Sequence, residues 1–171
     1  MKYNIEKINL IGKMLAEVVQ EAMGDAEKEK VLIGDIEMEL RESLREIGRS
    51  GLKYFLENAE GEAQAEIKCS CGGTLHYQRR RAATIWSVFG KMTYERAYYA
   101  GCRCGNGQAT IDQRYGIEPG QVTAGLAQLL ALSGIDKSFE EGQEWLKAFL
   151  LFDISENTIR TETQLLGELQ K

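Results

Sequence analysis

The chain has 171 residues, of which 43% are hydrophobic and 27% are charged, with a single proline and a formal net charge of −5. This length suits one good-sized domain or two small ones, and the hydrophobic content is sufficient for a packed core. No apolar run approaches the roughly 18–20 residues of a membrane span, and the first residues lack a signal peptide's apolar stretch. We therefore expect a cytoplasmic protein, in a compartment where cysteines bind metals more often than they form disulfides.

The charge is distributed unevenly along the chain. Residues 1–60 carry 9 Lys/Arg against 13 Asp/Glu, and residues 119–171 carry 4 against 8, so each of these segments has a net charge of −4. Residues 61–118 carry 8 against 5, a net charge of +3, and this segment also holds all four cysteines. An excess of this size indicates either a nucleic-acid surface or an ordinary solvated one.

The first third of the sequence is predicted to be helical. Apolar residues recur at helical spacing over residues 4–23, which predicts an amphipathic helix. A second helix is predicted over Lys30–Asn58, with a kink or break near Gly48 and Gly51, because each glycine costs up to about 1 kcal/mol of helix propensity. Residues 1–62 are interpreted as a helical hairpin that serves packing or dimerisation.

The hydrophobic period changes after Glu66. Three runs rich in β-branched and aromatic residues predict strands: TLHYQRRR, ATIWSVFG and KMTYERAYYAG. Gly90 and Lys91 are predicted to form the hairpin turn between the second and third runs. Alternation predicts one face with Met92, Tyr94, Arg96 and Tyr98, and another with Thr93, Glu95, Ala97 and Tyr99. Residues 63–117 are therefore interpreted as a small antiparallel sheet with cysteines at its two ends.

Helical patterns return in residues 118–171. A helix is predicted to begin at Thr123 and to stop at Ser133-Gly134. Ser138 and Glu141 have the spacing of a capping box that opens a second helix, and Ser155 caps a third, with Ile154 and Ile159 as a hydrophobic staple. Two capped helices joined by a few residues predict a helix-turn-helix. The predicted fold class is therefore α+β, with a helical hairpin, a small sheet and a helix-turn-helix domain.

The cysteines form two C-x-C pairs, Cys69/Cys71 and Cys102/Cys104. Two such pairs, brought together by a sheet and followed by glycines, predict a tetrahedral structural zinc site. Disulfides and free or redox-active thiols are the alternatives. The only histidine, His76, is interpreted as a strand surface residue rather than a ligand.

The sequence offers little for catalysis. One histidine excludes most histidine-based acid–base schemes, and the nucleophile-elbow, P-loop and dinucleotide-binding motifs are absent from the sequence. The carboxylates fall on amphipathic helix faces, where a solvated surface is the usual explanation. We therefore expect a protein that is not an enzyme in itself and has no small-molecule substrate.

The basic segment and the last helix predict contacts with double-stranded DNA. Phosphate contacts, which supply affinity without sequence choice, are predicted for the basic side chains of the sheet: Arg79, Arg80, Arg81, Lys91 and Arg96. Base-edge contacts are predicted for the early exposed residues of the last helix: Asn157, Thr158, Arg160, Thr161 and Gln164. The alternative for that helix is internal packing, because several acidic residues lie close by.

The order of these motifs resembles the N-terminal half of ISKra-type insertion-sequence transposases over about residues 65–165. The resemblance rests on four segments: CSCGGTL, RAATIWSVFGKMTYERAYYAGCRCG, GLAQLLALSGIDKSFEEGQEWL and ISENTIRTE. It implies a zinc-ribbon and helix-turn-helix region that recognises transposon ends, with a catalytic RNase H-like domain downstream that we expect this chain to lack. Family knuckles often have two residues between their cysteines, whereas both knuckles here have one.

Two other interpretations remain open from the sequence. In the first, the chain is a protein-interaction module in which the N-terminal helices form a homo-oligomer and the metal site is a scaffold. In the second, it is a small zinc-ribbon transcriptional regulator. The acidic N- and C-terminal segments favour the interaction module, and the basic cysteine-bearing segment favours the two DNA-binding alternatives.

Overall fold

A computed structural model of the chain describes residues 4–23 and 32–169. The helices and the three-stranded antiparallel sheet in these residues confirm the α+β class. The chain divides into two compact units, Met1–Gly48 and Arg49–Lys171. Within the described ranges, every helix is too short or too polar to cross a membrane.

Helices α1 (Ile5–Met23) and α2 (Ile33–Asn58) account for the first third of the chain. The predicted start of the second helix at Lys30 lies outside the described residues. α2 continues without interruption through the two glycines at which a break was predicted. Beyond them Leu56 is buried against the sheet, and this burial outweighs a glycine penalty of about 1 kcal/mol.

The sheet consists of β1 (Glu66–Lys68), β2 (Thr74–Ser87) and β3 (Gly90–Ala100), in the order β1-β2-β3. The first two predicted runs form one strand, β2, because no turn residue separates them. A register shift between Tyr77 and Arg79 marks a β-bulge.

The hairpin turn consists of Val88 and Phe89, two residues earlier than predicted. Ser87 pairs with Gly90 across it. The Ser87 hydroxyl stabilises the turn, because it accepts a hydrogen bond from the Phe89 N–H and donates one to the Gly90 carbonyl. The Ser87 side chain therefore determines where the chain turns. Gly90 is the first residue after the turn and has a φ of 99°.

Each face of the β2–β3 hairpin is buried over part of its length, one face near the turn and the other near the cysteines. Near the turn the first face packs on the end of α2 and on a short helix, α3 (Thr110–Tyr115), in a cluster of Leu56, Ala83, Ile85, Met92, Tyr94 and Ile111. Thr93 and Glu95 are exposed on the other face there, as alternation predicts. Near the cysteines the second face is the buried one, in a cluster of Cys69, Leu75, Ala97 and Tyr99. Sequence analysis did not predict α3.

The outer edge of β3 is covered by two side chains. The Glu57 carboxylate accepts a hydrogen bond of 3.0 Å from the Glu95 N–H, and the Glu60 carboxylate accepts one of 2.9 Å from the Ala97 N–H. These bonds satisfy backbone donors that an edge strand otherwise presents to another chain. They also join the C-terminal part of α2 and the residues just after it to the sheet.

Helices α4 (Ala124–Asp136), α5 (Phe139–Leu150) and α6 (Glu156–Leu169) pack around one apolar core. The buried members of this core are Leu126, Leu130, Leu146, Ile154 and Ile159. The predicted capping box at the start of α5 is confirmed, and Ser155 accepts a hydrogen bond from the Thr158 N–H as predicted for the cap of α6. Trp86 and Val88 of the hairpin pack against the same core.

Helix α4 does not stop at Ser133-Gly134 but continues to Asp136. A side chain at Gly134 would overlap the hydroxyl of Thr163 on α6. The glycine is therefore explained by the close approach of two helices rather than by helix termination.

A buried ion pair joins α3 to the sheet. Arg96 Nε donates to Asp112 Oδ2 at 2.6 Å, and the Tyr94 hydroxyl donates to Asp112 Oδ1 at 2.6 Å. The side chains of Arg96 and Asp112 are 9% and 12% exposed. Burial, followed by the hydrogen bond to Asp112, raises the pKa of Tyr94, so the phenol stays protonated as a donor.

Replacing Asp112 with alanine should lower the free energy of unfolding by about 3–5 kcal/mol, because it leaves the Arg96 charge buried without its partner. Asp153→Ala is the matched control. Its 3.0 Å pair with Lys147 is mostly exposed and should contribute less than about 1 kcal/mol. Urea denaturation of the metal-loaded variants measures both, and equal losses would contradict a structural role for the buried pair.

Candidate metal centre and basic surfaces

The four cysteine thiols meet at one end of the hairpin. All four Sγ atoms lie within 4.8 Å of one another. The closest pairs join the two knuckles crosswise: Cys69 to Cys104 at 3.5 Å and Cys71 to Cys102 at 3.3 Å. A tetrahedral ion with metal–sulfur bonds of about 2.3 Å requires sulfurs about 3.8 Å apart. The cluster therefore fits a single metal ion, and the four cysteines are free thiols.

The two knuckles share one backbone design. In the first, the Gly72 N–H donates to the Cys69 carbonyl at 2.9 Å, and in the second the Gly105 N–H donates to the Cys102 carbonyl at 3.0 Å. Both glycines have left-handed φ values, 87° and 76°, which other residues rarely adopt. The C-x-C-G sequence thus turns the chain so that both cysteines of a pair face the same point.

Gly73 has a different role, which is to provide space. A Cβ at this position would lie 2.7 Å from Cys102 Sγ and 3.5 Å from Cys71 Sγ. The carbonyl of Gly73 also accepts a 2.9 Å hydrogen bond from the Cys69 N–H. A glycine here lets the start of β2 pass directly beside the thiols of both knuckles.

The electrostatics of the cluster favour a bound cation. The Cys71 backbone N–H, followed by the other three thiols, lowers the pKa of Cys69 to about 7. At Cys71 the Gly73 N–H acts in the same direction, but the three neighbouring cysteines outweigh it and raise the pKa to about 12. One thiolate therefore opposes ionisation of the next, and a divalent cation among them removes that opposition.

The donor set is suited to structure rather than catalysis. Four thiolates complete a tetrahedral coordination sphere and leave no position for water or a substrate. His76 does not join the cluster. Its Nδ1 lies 3.2 Å from a carboxylate oxygen of Glu66, and its side chain is more than half exposed.

The three consecutive arginines of β2 do not form one surface. The register pairs Arg79 with Tyr98, Arg80 with Ala97 and Arg81 with Arg96. Arg79 and Arg81 therefore lie on one face of the hairpin and Arg80 on the other. The Arg80 guanidinium donates to the Glu95 carbonyl at 2.8 Å, so it is held against the edge of β3.

Arg96 and Lys91 occupy very different environments, although both were predicted to contact phosphate. Arg96 is buried against Asp112 and donates to the backbone carbonyls of Arg81 and Ala82. The prediction that it faces DNA does not fit this burial. Lys91 is exposed at the turn end of β3, with its ammonium 5.6 Å from the centre of the Trp86 ring.

Helix α6 presents a polar stripe to solvent. Asn157, Arg160, Thr161 and Gln164 are all exposed and follow the spacing i, i+3, i+4, i+7 of a single helix face. Thr158, predicted with them, is half-buried, and its hydroxyl contacts that of Ser155 at 2.8 Å. It belongs to the helix cap rather than to the stripe.

A cleft of about 500 Å³ lies between Trp86, residues 120–122 and the first half of α6. Trp86 forms part of its wall, and Asn157 and Thr161 of the polar stripe line it. Two carboxylates, Asp153 and Glu162, line it as well. Burial raises the pKa of Glu162. The two carboxylates disfavour a phosphate inside the cleft, so its hydrogen-bonding side chains, Asn157 and Thr161, suit uncharged groups.

Two residues of the basic surface were not identified from the sequence. Asp112 neutralises Arg96, and Tyr98 lies under the guanidinium of Arg81, whose central carbon is 4.3 Å from the ring centre. Alternation placed Tyr98 and Arg96 on one face, but the partners across the sheet depended on the position of the hairpin turn, which was predicted two residues too late.

Replacing Cys71 with serine should abolish stoichiometric metal binding, because a hydroxyl is a poor ligand where three thiolates already select a soft ion. Ser70→Ala, which changes the intervening residue and keeps all four thiols, is the control and should retain the metal. Elemental analysis of purified protein, expressed per chain, checks both variants. Retention of one ion per chain by Cys71→Ser would refute the four-thiol site.

Two comparisons, with family models and with curated proteins, bear on the origin of the chain. The chain matches no family model and no curated protein. The similarity to ISKra-type transposases therefore remains a prediction from the motifs, and function must be inferred from the chain's own residues.

Proposed function

We propose that this chain is a DNA-binding protein in which a zinc ribbon and a helix-turn-helix act together, without catalysis of its own. In this proposal α5 and α6 are the two helices of the motif, and α6 is inserted into the major groove. Zinc at the four thiols holds the ribbon. By its resemblance to ISKra-type transposases, the preferred target is a transposon end.

The observation that carries the proposal is the polar stripe on α6. The solvent face of any surface helix is polar, but this stripe consists of amide, hydroxyl and guanidinium groups without a carboxylate. Asn and Gln pair with adenine, and Arg pairs with guanine or phosphate. Ile159 on the opposite side of α6 is completely buried in the three-helix core, so the orientation of the stripe is fixed.

The thiol cluster supports zinc as the ion. Zinc prefers a closed tetrahedral set of thiolates for structural sites and has no redox chemistry that would oxidise them. Structural zinc contributes about 10–16 kcal/mol in small domains, which is as large as the usual stability of a whole domain. The knuckle end of the sheet, whose buried cluster is small, is where this contribution is needed.

Zinc-loaded protein should retard duplex DNA at low salt, and should prefer inverted-repeat ends over random duplex. The double variant Asn157→Ala/Gln164→Ala should lose that preference while keeping most of its non-specific affinity, because base-edge contacts carry the sequence choice. A gel-shift series with both DNAs measures this. If wild-type zinc protein retards neither DNA, the proposed function is wrong.

Self-association of the N-terminal unit is a second candidate function. α1 exposes large apolar side chains at Leu10, Met14 and Val18, each 57–58% exposed and one helical turn apart. An apolar stripe of this kind favours a protein partner. We propose a second copy of this chain as that partner, because paired DNA-binding units suit inverted repeats.

Met14→Glu should convert a concentration-dependent dimer into a monomer, because it introduces charge at the middle of the apolar stripe. Lys13→Glu changes an adjacent exposed residue outside the stripe and is the control. Light scattering coupled to size-exclusion chromatography measures the molar mass. A wild-type monomer at every concentration would rule out self-association and leave the DNA-binding proposal intact.

A further inference from the structure

One face of the β2–β3 hairpin carries an unbalanced positive charge. The register places Arg79, Arg81 and Arg96 together on this face, with Arg81 directly opposite Arg96. Like charges opposite each other across two strands are destabilising. Of the three guanidiniums, only Arg96 has a carboxylate partner among the described residues, which is Asp112. Two positive charges on this face therefore remain uncompensated.

Residues that violate such a rule, here the placing of like charges opposite each other, are expected mostly at functional sites. A carboxylate at position 98, directly across from Arg79, would compensate the positive charge of this face. The chain has a tyrosine there instead, with the guanidinium of Arg81 4.3 Å above its ring centre. Stacking on an aromatic ring holds a guanidinium in place while leaving its N–H donors free in the plane.

The tyrosine ring is itself fixed by the second knuckle. A Cβ at residue 107 would overlap the hydroxyl and ring of Tyr98, and it would lie 3.1 Å from the Tyr99 carbonyl. Gly107 therefore makes room for the phenol, only three residues after the ligand Cys104. The position of Arg81 thus depends on the tyrosine, and the tyrosine depends on the loop that follows the metal site.

From this arrangement we propose that Arg79 and Arg81 form a phosphate clamp for the backbone of duplex DNA, with Tyr98 as its positioning residue. The clamp rests on the proposed DNA-binding function, and it assigns affinity to this face of the hairpin. A guanidinium fork held in this way can bind two oxygens of one phosphate. Arg79, across from the same tyrosine, binds the same phosphate or the next one along the strand.

Arg80 provides an internal control. It has the same charge and lies between the two clamp residues, but it is on the opposite face and is held by the Glu95 carbonyl. Arg80→Gln and Arg81→Gln therefore have the same net charge and nearly the same composition. Long-range electrostatics affects both variants alike, so a difference between them reports the contact itself.

The experiment measures the affinity of zinc-loaded protein for one duplex at several salt concentrations. Arg81→Gln should weaken binding about tenfold at low salt and reduce the slope of log K against log salt by about one, because one phosphate contact is lost. Tyr98→Leu should weaken binding about threefold and leave the slope unchanged, because the charge remains but is no longer held. Arg80→Gln should bind like wild type.

The outcomes separate the clamp from the function on which it rests. If wild-type protein binds no duplex, the proposed function fails and the clamp with it. If wild type binds and Arg81→Gln equals Arg80→Gln in affinity and slope, the clamp is wrong while DNA binding stands. If Tyr98→Leu lowers the slope as much as Arg81→Gln does, or leaves affinity unchanged, the tyrosine is not a positioning residue. Zinc content and circular dichroism of each variant show that the ribbon is intact.

Discussion

Four thiols within 4.8 Å of one another are the constraint on which the knuckle end of the sheet depends. Without a cation, each ionised sulfur opposes the next, and the pKa of Cys71 at about 12 expresses that opposition. With a divalent ion, the same proximity becomes favourable, because four thiolates share one positive centre. The apolar cluster behind the knuckles is small, with Leu75 and Tyr99 as its largest buried members. Apolar burial alone therefore contributes little at this end, and a metal ion at the four thiols would be its main stabilising interaction.

The arginines of the hairpin lie in different environments, because alternation turns neighbouring side chains to opposite faces of the sheet. Arg96 is turned inward, where Asp112 compensates its charge and two carbonyls accept its N–H groups. Arg81, directly across from it, remains exposed over an aromatic ring. Arg80, one residue away, faces the other side and is bound to the edge strand. The three guanidiniums thus have different roles because their partners differ. Arg96 is part of the core, Arg80 is bound to the sheet edge, and Arg81 is exposed for the proposed ligand.

Local patterns were sufficient to predict part of this structure. The helical periods, the capping box at Ser138 and the pairing of the two cysteine knuckles all depend on residues close in sequence or on known ligand spacing. The errors came where distant contacts decide. Gly134 was interpreted as a helix stop, whereas the residue that requires a glycine there is Thr163 on another helix. The local sequence does not show that contact. α3 was missed because its buried Asp112 is explained only by a strand far away in the sequence. The hairpin turn, which sets the cross-strand partners of Arg79 and Arg81, was placed two residues too late because Gly90 was taken for a turn residue.

The length of the hairpin connects the metal site to the rest of the unit. β2 has 14 residues, and at about 3.3 Å per residue it spans roughly 45 Å. At its turn end Trp86 and Val88 are held by the core of the three helices, which does not involve the metal. The arginine face lies in between, but Tyr98 is four residues before Cys102 and packs beside the loop of the second knuckle. Loss of the ion would therefore release the arginines before it disturbs α6. In the proposed function, a bound metal would govern affinity for the phosphate backbone, whereas the helical core would govern the orientation of the stripe that selects bases.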